Sequence, residues 1–202
     1  MLTSAALFFA AYLAGSLPFA VIVSRILGLA DPRAYGSGNP GATNVLRSGN
    51  RKAAILTLLG DALKGSLVVI LARILAPQLG IPATAIAMAG LFAFLGHVFS
   101  IFLRFSGGKG VATAAGVLLA MSPLAGALVL AIWLLVALTT RYSSAAALAA
   151  ALAAPLVTAW LVPDPGWIGA VCAMAAILLW RHTTNIKRLF SGQESRIGSR
   201  SK

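Results

Sequence analysis

The stretch VATAAGVLLAMSPLAGALVLAIWLLVALTT, residues Val111–Thr140, decides the fold, because its number of crossings sets the side of the membrane for everything that follows. A helix needs about 20 residues to cross the hydrocarbon core of a bilayer, so this uncharged stretch suits one long span or two short ones. Pro123 lies inside it. The rest of the sequence has to decide between the two.

The composition of the chain is that of an integral membrane protein. Its residues are 59% hydrophobic, only 10% are charged, and the mean hydropathy is +0.92. A soluble domain carries roughly 25% charged residues, so this chain lacks the polar side chains to cover itself in water. We therefore expect a single all-α polytopic membrane domain, residues 1–202.

Apolar runs before and after the deciding stretch supply the other helices. These runs are Leu2–Ser24, Ala53–Ala72, Ile74–Leu103, Tyr142–Val162 and Gly166–Trp180. The first contains no charged residue and lacks a basic region before it, so we predict a retained span rather than a cleaved signal peptide. We expect Arg73 and Pro77–Pro82 to lie on the outer side of the membrane.

The distribution of positive charge decides the number of crossings. The chain has 16 Lys and Arg against 4 Asp and Glu, a net charge of +12, and positive residues tend to stay on the cytoplasmic side. One crossing by Val111–Thr140 would place Arg141 and the basic tail outside, whereas two crossings that turn near Met121–Pro123 keep them inside. We predict seven transmembrane helical segments, a periplasmic N-terminus and a cytoplasmic C-terminus, with the fourth or fifth segment short. A re-entrant hairpin over the same stretch is the competing geometry.

Three polar stretches then share the cytoplasmic face, and the first is GSGNPGATNVLRSGN, Gly36–Asn50. Its glycines permit close approach of the backbone, and successive N–H groups in such a loop can form an anion-binding nest. Thr43 and Asn44 add neutral donors, and Arg47 adds a guanidinium suited to phosphate oxygens. The stretch therefore indicates a phosphate site, and an ordinary turn between two spans is the alternative.

The second stretch is FSGGKGVAT, Phe105–Thr113. It lacks the first glycine of a nucleotide-binding P-loop, and Gly110 stands where that motif has Ser or Thr, so ATP hydrolysis is not expected. We expect its glycines to expose N–H groups at the start of a helix, where the partial positive charge favours phosphate, and Lys109 adds a full charge. A flexible turn with a lysine that sets topology is the alternative.

The third stretch is RHTTNIKRLFSGQESRIG, Arg181–Gly198. His182 and Asn185 are three residues apart, so on a helix they share one face. This arrangement is expected to bring both side chains into a site. A basic tail that contacts anionic lipid headgroups is the alternative.

A few polar residues lie inside or at the ends of the apolar runs. Asp61 and Lys64 are three apart, so they can pair, either for function or to neutralise each other. His97 is expected to be a hydrogen-bonded structural residue, and Ser144 could cap a helix or point into the site. No cluster of metal ligands and no nucleophile motif is present, and Cys172 lies in an apolar run, so we predict no metal and no cofactor.

Taken in order, GSGNPGATNVLR, DALKG, GHVFSIFLRFSGGKGVAT, TRYSS and RHTTNIKRLFSGQE closely resemble the bacterial acyl-phosphate:glycerol-3-phosphate acyltransferase family. The resemblance covers Gly36 to Glu194. It implies a bacterial inner-membrane enzyme that moves a fatty acyl group from acyl phosphate to the 1-hydroxyl of glycerol 3-phosphate in phospholipid synthesis. It also implies contact with membrane lipid and a soluble partner enzyme that makes acyl phosphate, and no nucleic acid.

The resemblance places in the site Ser37, Arg47, Gly107, Gly108, Lys109, Gly110, Ser144, His182, Asn185 and Glu194. The chemistry of the residues themselves adds Thr43, Asn44, Asp61, Lys64, His97 and Thr113. The expected catalytic residues are Ser37, His182 and Asn185. The expected substrate-binding residues are Thr43, Asn44, Arg47, Lys64, Gly107, Gly108, Lys109, Gly110, Thr113 and Ser144. Asp61, His97 and Glu194 are expected to support the site.

The chemistry of the two substrates agrees with these residues. Both carry phosphate, so cations are needed to offset their repulsion, and acyl phosphate has a good leaving group, so no covalent acyl-enzyme is needed. Two other functions remain open from the residues alone: a transporter for an organic phosphate and a helical scaffold that binds anionic lipid. The absence of an inverted repeat and of paired broken helices counts against the transporter.

Overall fold

The computed structural model describes residues 2–198, and these residues contain helices and no strand. The ten α-helices are α1 (Leu2–Ser16), α2 (Phe19–Ile26), α3 (Ala42–Leu46), α4 (Arg51–Leu79), α5 (Ala83–Val98), α6 (Val111–Met121), α7 (Pro123–Thr140), α8 (Ser143–Leu161), α9 (Pro165–Arg181) and α10 (Thr183–Phe190). Short 3₁₀ turns cover Pro32–Ala34 and Ile101–Leu103.

Four of these elements are long and apolar enough to cross a membrane: α4, α5 with the 3₁₀ turn after it, α7 and α8. A fifth is obtained if α1 and α2, which meet at a bend of 42°, count as one span. The apolar helices α6 and α9 are shorter, with 11 and 17 residues. The chain is thus an all-helical, multi-pass integral membrane protein, as its composition predicts.

The first span is broken where the sequence predicts one continuous run over Leu2–Ser24. Pro18 has no N–H to continue the helix, and the break leaves carbonyl groups without helical partners. The hydroxyl of Ser100 donates to the carbonyl of Ser16 at 2.6 Å, and Lys64 Nζ donates to that of Leu17 at 2.9 Å. Neighbouring helices therefore satisfy the broken backbone, and that makes the bend tolerable inside a membrane.

Helix α4 is longer than the predicted run Ala53–Ala72 and includes both Arg73 and Pro77. The helix continues through Pro77 and ends at Gly80, which adopts a left-handed conformation with φ of 60°. Only the residues from Gly80 to Pro82 form the turn before α5. A proline near the end of a helix removes a single hydrogen bond, so Pro77 does not stop this helix.

Helix α6 lies beside the far half of α4 and runs in the same direction. Thr113 Oγ1 donates to the carbonyl of Asp61 at 2.8 Å, and the guanidinium of Arg73 donates to the carbonyls of Ala120 and Met121 at 2.8 and 2.7 Å. Helix α6 therefore begins about 15 Å along α4 from Arg51, at 1.5 Å per residue. The space beside the first turns of α4 is left open, and the candidate site occupies it.

The predicted turn near Met121–Pro123 is confirmed. The backbone leaves the helix at Ser122, whose side chain accepts from the N–H of Ala125 and caps α7. Gly126 lies against the backbone of Leu119, where a Cβ would come within 2.6 Å of the Leu119 Cα. The deciding stretch is thus a tight helical hairpin, and its first arm is the short segment that the sequence predicts.

Candidate active site

Two cavities meet at the end of the bundle where the basic loops gather. The larger, of about 640 Å³, runs from a polar mouth down between α6, α7, α8 and α9. The smaller, of about 450 Å³, is bounded mainly by polar residues. The residues that line both cavities are Ser37, Asn39, Lys109, Asn185 and Arg188. All three polar stretches of the sequence contribute to this shared wall.

A chain of hydrogen bonds crosses the shared wall. Lys109 Nζ donates to Asn185 Oδ1 at 2.5 Å. Asn185 Nδ2 donates to Glu194 Oε1 at 2.7 Å, and the Ser144 hydroxyl donates to the same oxygen at 2.7 Å. An ammonium group can only donate and a carboxylate can only accept, so these partners fix the orientation of the Asn185 amide. Among the described residues, nothing accepts from the second N–H of that amide, so this N–H is available to a ligand.

His182 is buried, 3% exposed, at the end of α9. Its Nδ1 lies 2.8 Å from the carbonyl oxygen of Leu178. The carbonyl can only accept, so Nδ1 carries the proton and Nε2 of the neutral ring is an acceptor. Burial, reinforced by the positive charge of Lys109, lowers the pKa of His182 to about 4. At neutral pH this side chain is therefore uncharged and accepts a hydrogen bond from a ligand hydroxyl.

Lys109 is a partly buried cation on the wall that the two cavities share. Burial lowers its pKa to about 8, with a further lowering from the charges of Arg181 and Arg188, while the negative charge of Glu194 opposes the change. The side chain is thus mostly protonated at neutral pH. A partly buried ammonium with few counter-charges attracts an anion strongly, because it has given up water without a full carboxylate partner.

The glycine loop between α5 and α6 does not expose its N–H groups as the sequence predicts. The N–H groups of Gly107 and Gly108 donate to the carbonyls of Val98 and His97, each at 3.1 Å. A Cβ on Gly107 would lie 2.0 Å from the His97 carbonyl oxygen, and one on Gly108 would lie 2.2 Å from the His97 ring. These two glycines therefore let the loop pack against α5, and the free N–H groups for an anion are those of the first turn of α6, after Gly110.

The first polar stretch contains one residue with an internal role. Asn44, predicted to bind substrate, is 2% exposed. Its Oδ1 accepts from the N–H of Ser37 at 2.9 Å, and its Nδ2 donates to the carbonyls of Pro32 and Tyr35 at 2.6 and 3.2 Å. Because these bonds use both of its donors, Asn44 shapes the loop that presents Ser37.

The mouth of the larger cavity is spanned by contacts between distant segments. Thr43 Oγ1 lies 3.1 Å from Ser143 Oγ. Arg47 donates to the hydroxyl of Ser195, and the N–H of Ile197 donates to the carbonyl of Arg141 at 2.7 Å. Residues 191–197, here called the C-terminal strap, thus lie across the mouth.

Three residues predicted to bind substrate lie outside both cavity linings: Lys64, Gly108 and Thr113. Thr113 is buried and joins α6 to α4 through its bond to Asp61. Lys64 is 5% exposed, its Nζ lies 2.8 Å from Asp61 Oδ1, and it donates to the broken first span. The predicted Asp61–Lys64 pair is present, and these contacts give Thr113 and Lys64 structural roles.

Asp61 and His97 lie at the edge of the larger cavity. His97 Nδ1 is 3.4 Å from Asp61 Oδ1, and the His97 ring lies directly under Gly108. The His97 ring therefore packs between Asp61 and the glycine loop. Within residues 2–198, no three His, Cys, Asp or Glu side chains come together as a metal site.

Several residues that line the site are not among those predicted to act in catalysis or to bind substrate. Asn39 and Arg188 line both cavities, and Trp133 lines the apolar part of the larger one. Arg181 donates to the carbonyl of Gly107 at 3.0 Å and so ties the glycine loop to α9. The basic run after α9 was a signal for Arg188, whereas nothing in the apolar run around Trp133 indicates a cavity.

Comparison with known proteins identifies the chain's relatives. The family model described as glycerol-3-phosphate acyltransferase matches residues 5–192. The glycerol-3-phosphate acyltransferase of Ralstonia pickettii (strain 12J) is 60% identical over 194 residues, which are 96% of this chain and 93% of that protein. The glycerol-3-phosphate acyltransferase of Burkholderia cenocepacia (strain HI2424) is 57% identical over 197 residues, 95% of this chain and 90% of that protein.

Two solved structures are also similar to this chain. The crystal structure of PlsY (YgiH), an integral membrane glycerol 3-phosphate acyltransferase, in its glycerol 3-phosphate form superposes with a TM-score of 0.89 and 36% identity, covering 97% of this chain and 96% of that one. Its lysophosphatidic acid form superposes with a TM-score of 0.87 and 35% identity, with the same coverage.

Proposed function

The chain belongs to the glycerol-3-phosphate acyltransferase family, and from that premise we propose that it transfers a fatty acyl group from acyl phosphate to the 1-hydroxyl of glycerol 3-phosphate. The products are lysophosphatidic acid and phosphate. The observation that carries the proposal is the meeting of two unlike cavities at the Lys109–Asn185 contact. One is deep and apolar, which suits an acyl chain, and the other is small and polar, which suits glycerol 3-phosphate.

Acyl phosphate fits the larger cavity with its head at the mouth. The wall below the mouth is apolar and includes Leu118, Val129, Trp133, Ala150, Met174 and Leu178. The head group then lies near Arg47, Lys109 and the first turn of α6 at Gly110, with Thr43 and Ser144 beside it. Cations around the head offset the repulsion between the phosphates of the two substrates.

Glycerol 3-phosphate fits the smaller cavity beside it. Ser37, Asn39, Lys109 and Arg188 supply donors and positive charge there. His182 lines only the larger cavity. Its Nε2 can accept a hydrogen bond from the 1-hydroxyl of glycerol 3-phosphate at the boundary where the two cavities meet. This arrangement holds the hydroxyl toward the acyl carbon and keeps the two phosphates apart.

The chemistry is a direct transfer. The 1-hydroxyl oxygen attacks the acyl carbon, the bond between that carbon and the phosphate oxygen breaks, and the hydroxyl proton passes to a substrate phosphate. A general base works best when its pKa is near the working pH. The pKa of His182, about 4, makes its ring a weak base, whereas a phosphate monoester has a second pKa of about 6. His182 therefore orients the hydroxyl, and the free N–H of Asn185 stabilises the developing oxyanion.

The roles we propose follow from these positions. Ser37, His182 and Asn185 act on the reacting groups, while Arg47, Lys109 and Arg188 bind phosphate. Glu194 orients Asn185, and the Asp61–His97 pair supports the glycine loop.

Purified protein tests the proposal. With palmitoyl phosphate and glycerol 3-phosphate it is expected to release inorganic phosphate and form lysophosphatidic acid in equal amounts. Palmitoyl-coenzyme A is expected to replace the acyl phosphate poorly, because no part of the two cavities is built for a nucleotide. Uptake of glycerol 3-phosphate into vesicles without product would instead support a transporter, and equal turnover with the thioester would refute the donor assignment.

We also propose that residues 1–202 form a single polytopic domain in the bacterial inner membrane, with the active site on the cytoplasmic face. The segments cross seven times, from a periplasmic N-terminus to a cytoplasmic C-terminus. Support comes from the basic residues at the site end and from α6, which reaches Arg73 at the far end of α4. Two residues of the predicted basic tail, Arg200 and Lys202, lie outside the described residues.

Cysteine labelling is expected to show this topology. In a Cys172→Ala background, Ser48→Cys in the first loop should resist a membrane-impermeant maleimide applied to intact spheroplasts. Pro163→Cys, next to the Asp164 that caps α9, should react. A tag placed after Lys202 should be protected from protease in the same cells. Labelling of both cysteines from the same side would contradict the seven-crossing arrangement.

A further inference from the structure

The larger cavity has a rim that also faces the surroundings of the protein. Ile55 and Leu58 of α4 line the cavity and are 56% and 49% exposed. Leu130 and Leu134 of α7 line it too, and they are 37% and 45% exposed. A side chain that is exposed and also lines a cavity lies at an opening. These four residues, the lateral rim, therefore mark a side entrance in addition to the polar mouth.

The fold explains why this opening exists. Helix α6 packs between α4 and α7, so these two helices are held apart. Because α6 begins about 15 Å along α4 from Arg51, no helix fills the gap beside the first turns of α4. Further along α4, the residues of α6 that line the cavity include Ala114 and Ala115, whose small side chains do not close the gap.

The chemistry of the rim shows what the opening faces. All four rim side chains are aliphatic, and they continue the exposed apolar surfaces of α4 and α7, which include Leu59, Leu63, Leu135 and Leu138. Such surfaces on helices of this length lie in the hydrocarbon of the bilayer. The polar mouth, in contrast, is spanned by the Thr43–Ser143 contact and by the C-terminal strap.

We propose that the acyl chain of the donor enters the larger cavity sideways from the bilayer, through the lateral rim, and that the acylated product leaves by the same opening. The proposal rests on the proposed function. An acyl chain that moved through the mouth would have to pass the strap and expose its methylene groups to water, which is unfavourable for each one. Through the rim, the chain stays in hydrocarbon while its phosphate moves along the interface to Lys109.

Bulky substitutions at the rim test the route. The double variant Leu58→Trp and Leu134→Trp is expected to lower kcat/KM for palmitoyl phosphate severalfold, because the indoles narrow the opening. Its kcat/KM for butyryl phosphate, which is water-soluble and can use the mouth, should stay near that of the unmodified protein. The KM for glycerol 3-phosphate should also stay unchanged. Turnover of butyryl phosphate shows in the same experiment whether the proposed function holds.

The matched control is Leu59→Trp and Leu135→Trp. These leucines are next to the rim residues on the same two helices and are 51% and 64% exposed, but they lie outside the cavity lining. The control should keep full activity with both donors. An unchanged kcat/KM for palmitoyl phosphate in the rim variant overturns the proposal, and so does an equal loss with both donors or in both double variants.

Tryptophan fluorescence gives a second measurement that does not depend on turnover. The chain has 4 Trp, and three variants each keep one of them, with Phe at the others. In vesicles of phospholipid brominated on its acyl chains, Trp133 should be quenched nearly as much as lipid-facing Trp160, while buried Trp167 should not. Unbrominated palmitoyl phosphate should restore the fluorescence of Trp133 and not that of Trp160. Quenching of Trp133 that palmitoyl phosphate does not relieve overturns the proposal.

Discussion

Asn185→Ala is expected to lower turnover by roughly a hundredfold or more, which is the usual cost of removing one donor to a developing oxyanion. The substitution also leaves Lys109 and Glu194 without the amide that joins them. The measurement is kcat with palmitoyl phosphate and glycerol 3-phosphate on purified protein that retains its helical circular dichroism. The fall should appear in kcat more than in either KM, because the interaction strengthens only as the oxyanion forms.

Asn50→Ala is the matched control for this prediction. Asn50 lies at the same end of the bundle, and its side chain caps α4 by accepting from the N–H of Ala53, but it lies outside both cavity linings. Its loss should cost about 1 kcal/mol of stability and leave kcat unchanged. If folded Asn185→Ala keeps full activity, the third polar stretch is instead a basic tail that contacts anionic lipid headgroups.

Lys109→Ala is expected to reduce kcat/KM for the phosphate substrates by roughly 30-fold to several thousandfold, since losing one partner of a buried charge pair costs about 2–5 kcal/mol. The reason is that a bound phosphate would then lie in a low-dielectric site without its nearest cation. Steady-state kinetics with each substrate varied in turn measures the loss. Lys109→Arg should restore little, because a planar guanidinium does not reproduce the geometry of the compact ammonium group that donates to Asn185 Oδ1.

Lys187→Ala is the control, since Lys187 is exposed on α10 and lies outside both cavity linings.

The pH dependence of kcat/KM adds an independent check on Lys109. Lys109 binds phosphate in its charged form, and its pKa in the free protein is about 8, so kcat/KM should fall above that pH, reaching about a tenth one pH unit higher. The residual activity of Lys109→Arg should lack this fall. If kcat/KM of Lys109→Arg falls above about pH 8 as steeply as that of the unmodified protein, Lys109 does not bind the phosphate. Unchanged kinetics in folded Lys109→Ala would show the same.

Much of the site could be predicted because its residues are unusual for their surroundings. Glycines, amides and cations next to long apolar runs indicate an anion site whatever the packing, and His182 and Asn185 share a face because a helix has 3.6 residues per turn. The roles of single residues were harder to predict. Thr113 and Lys64 have suitable side chains, yet their contacts are to the backbone of neighbouring helices, and the N–H groups of Gly107 and Gly108 are used by α5.

The sequence by itself determined that this is a helical membrane protein, that the deciding stretch turns near Pro123, and that three basic stretches contain the candidate site, because composition, hydropathy and the positive-inside tendency depend on local residues. Only the tertiary structure decided that the first span breaks at Pro18, that α6 is a half-length helix beside α4, and that this leaves a cavity with a side opening. These features depend on which helices pack together and on where along each helix the contact lies. Because hydrogen bonds from Ser100, Lys64 and Arg73 satisfy backbone groups far away in the chain, no local pattern in the sequence could show them.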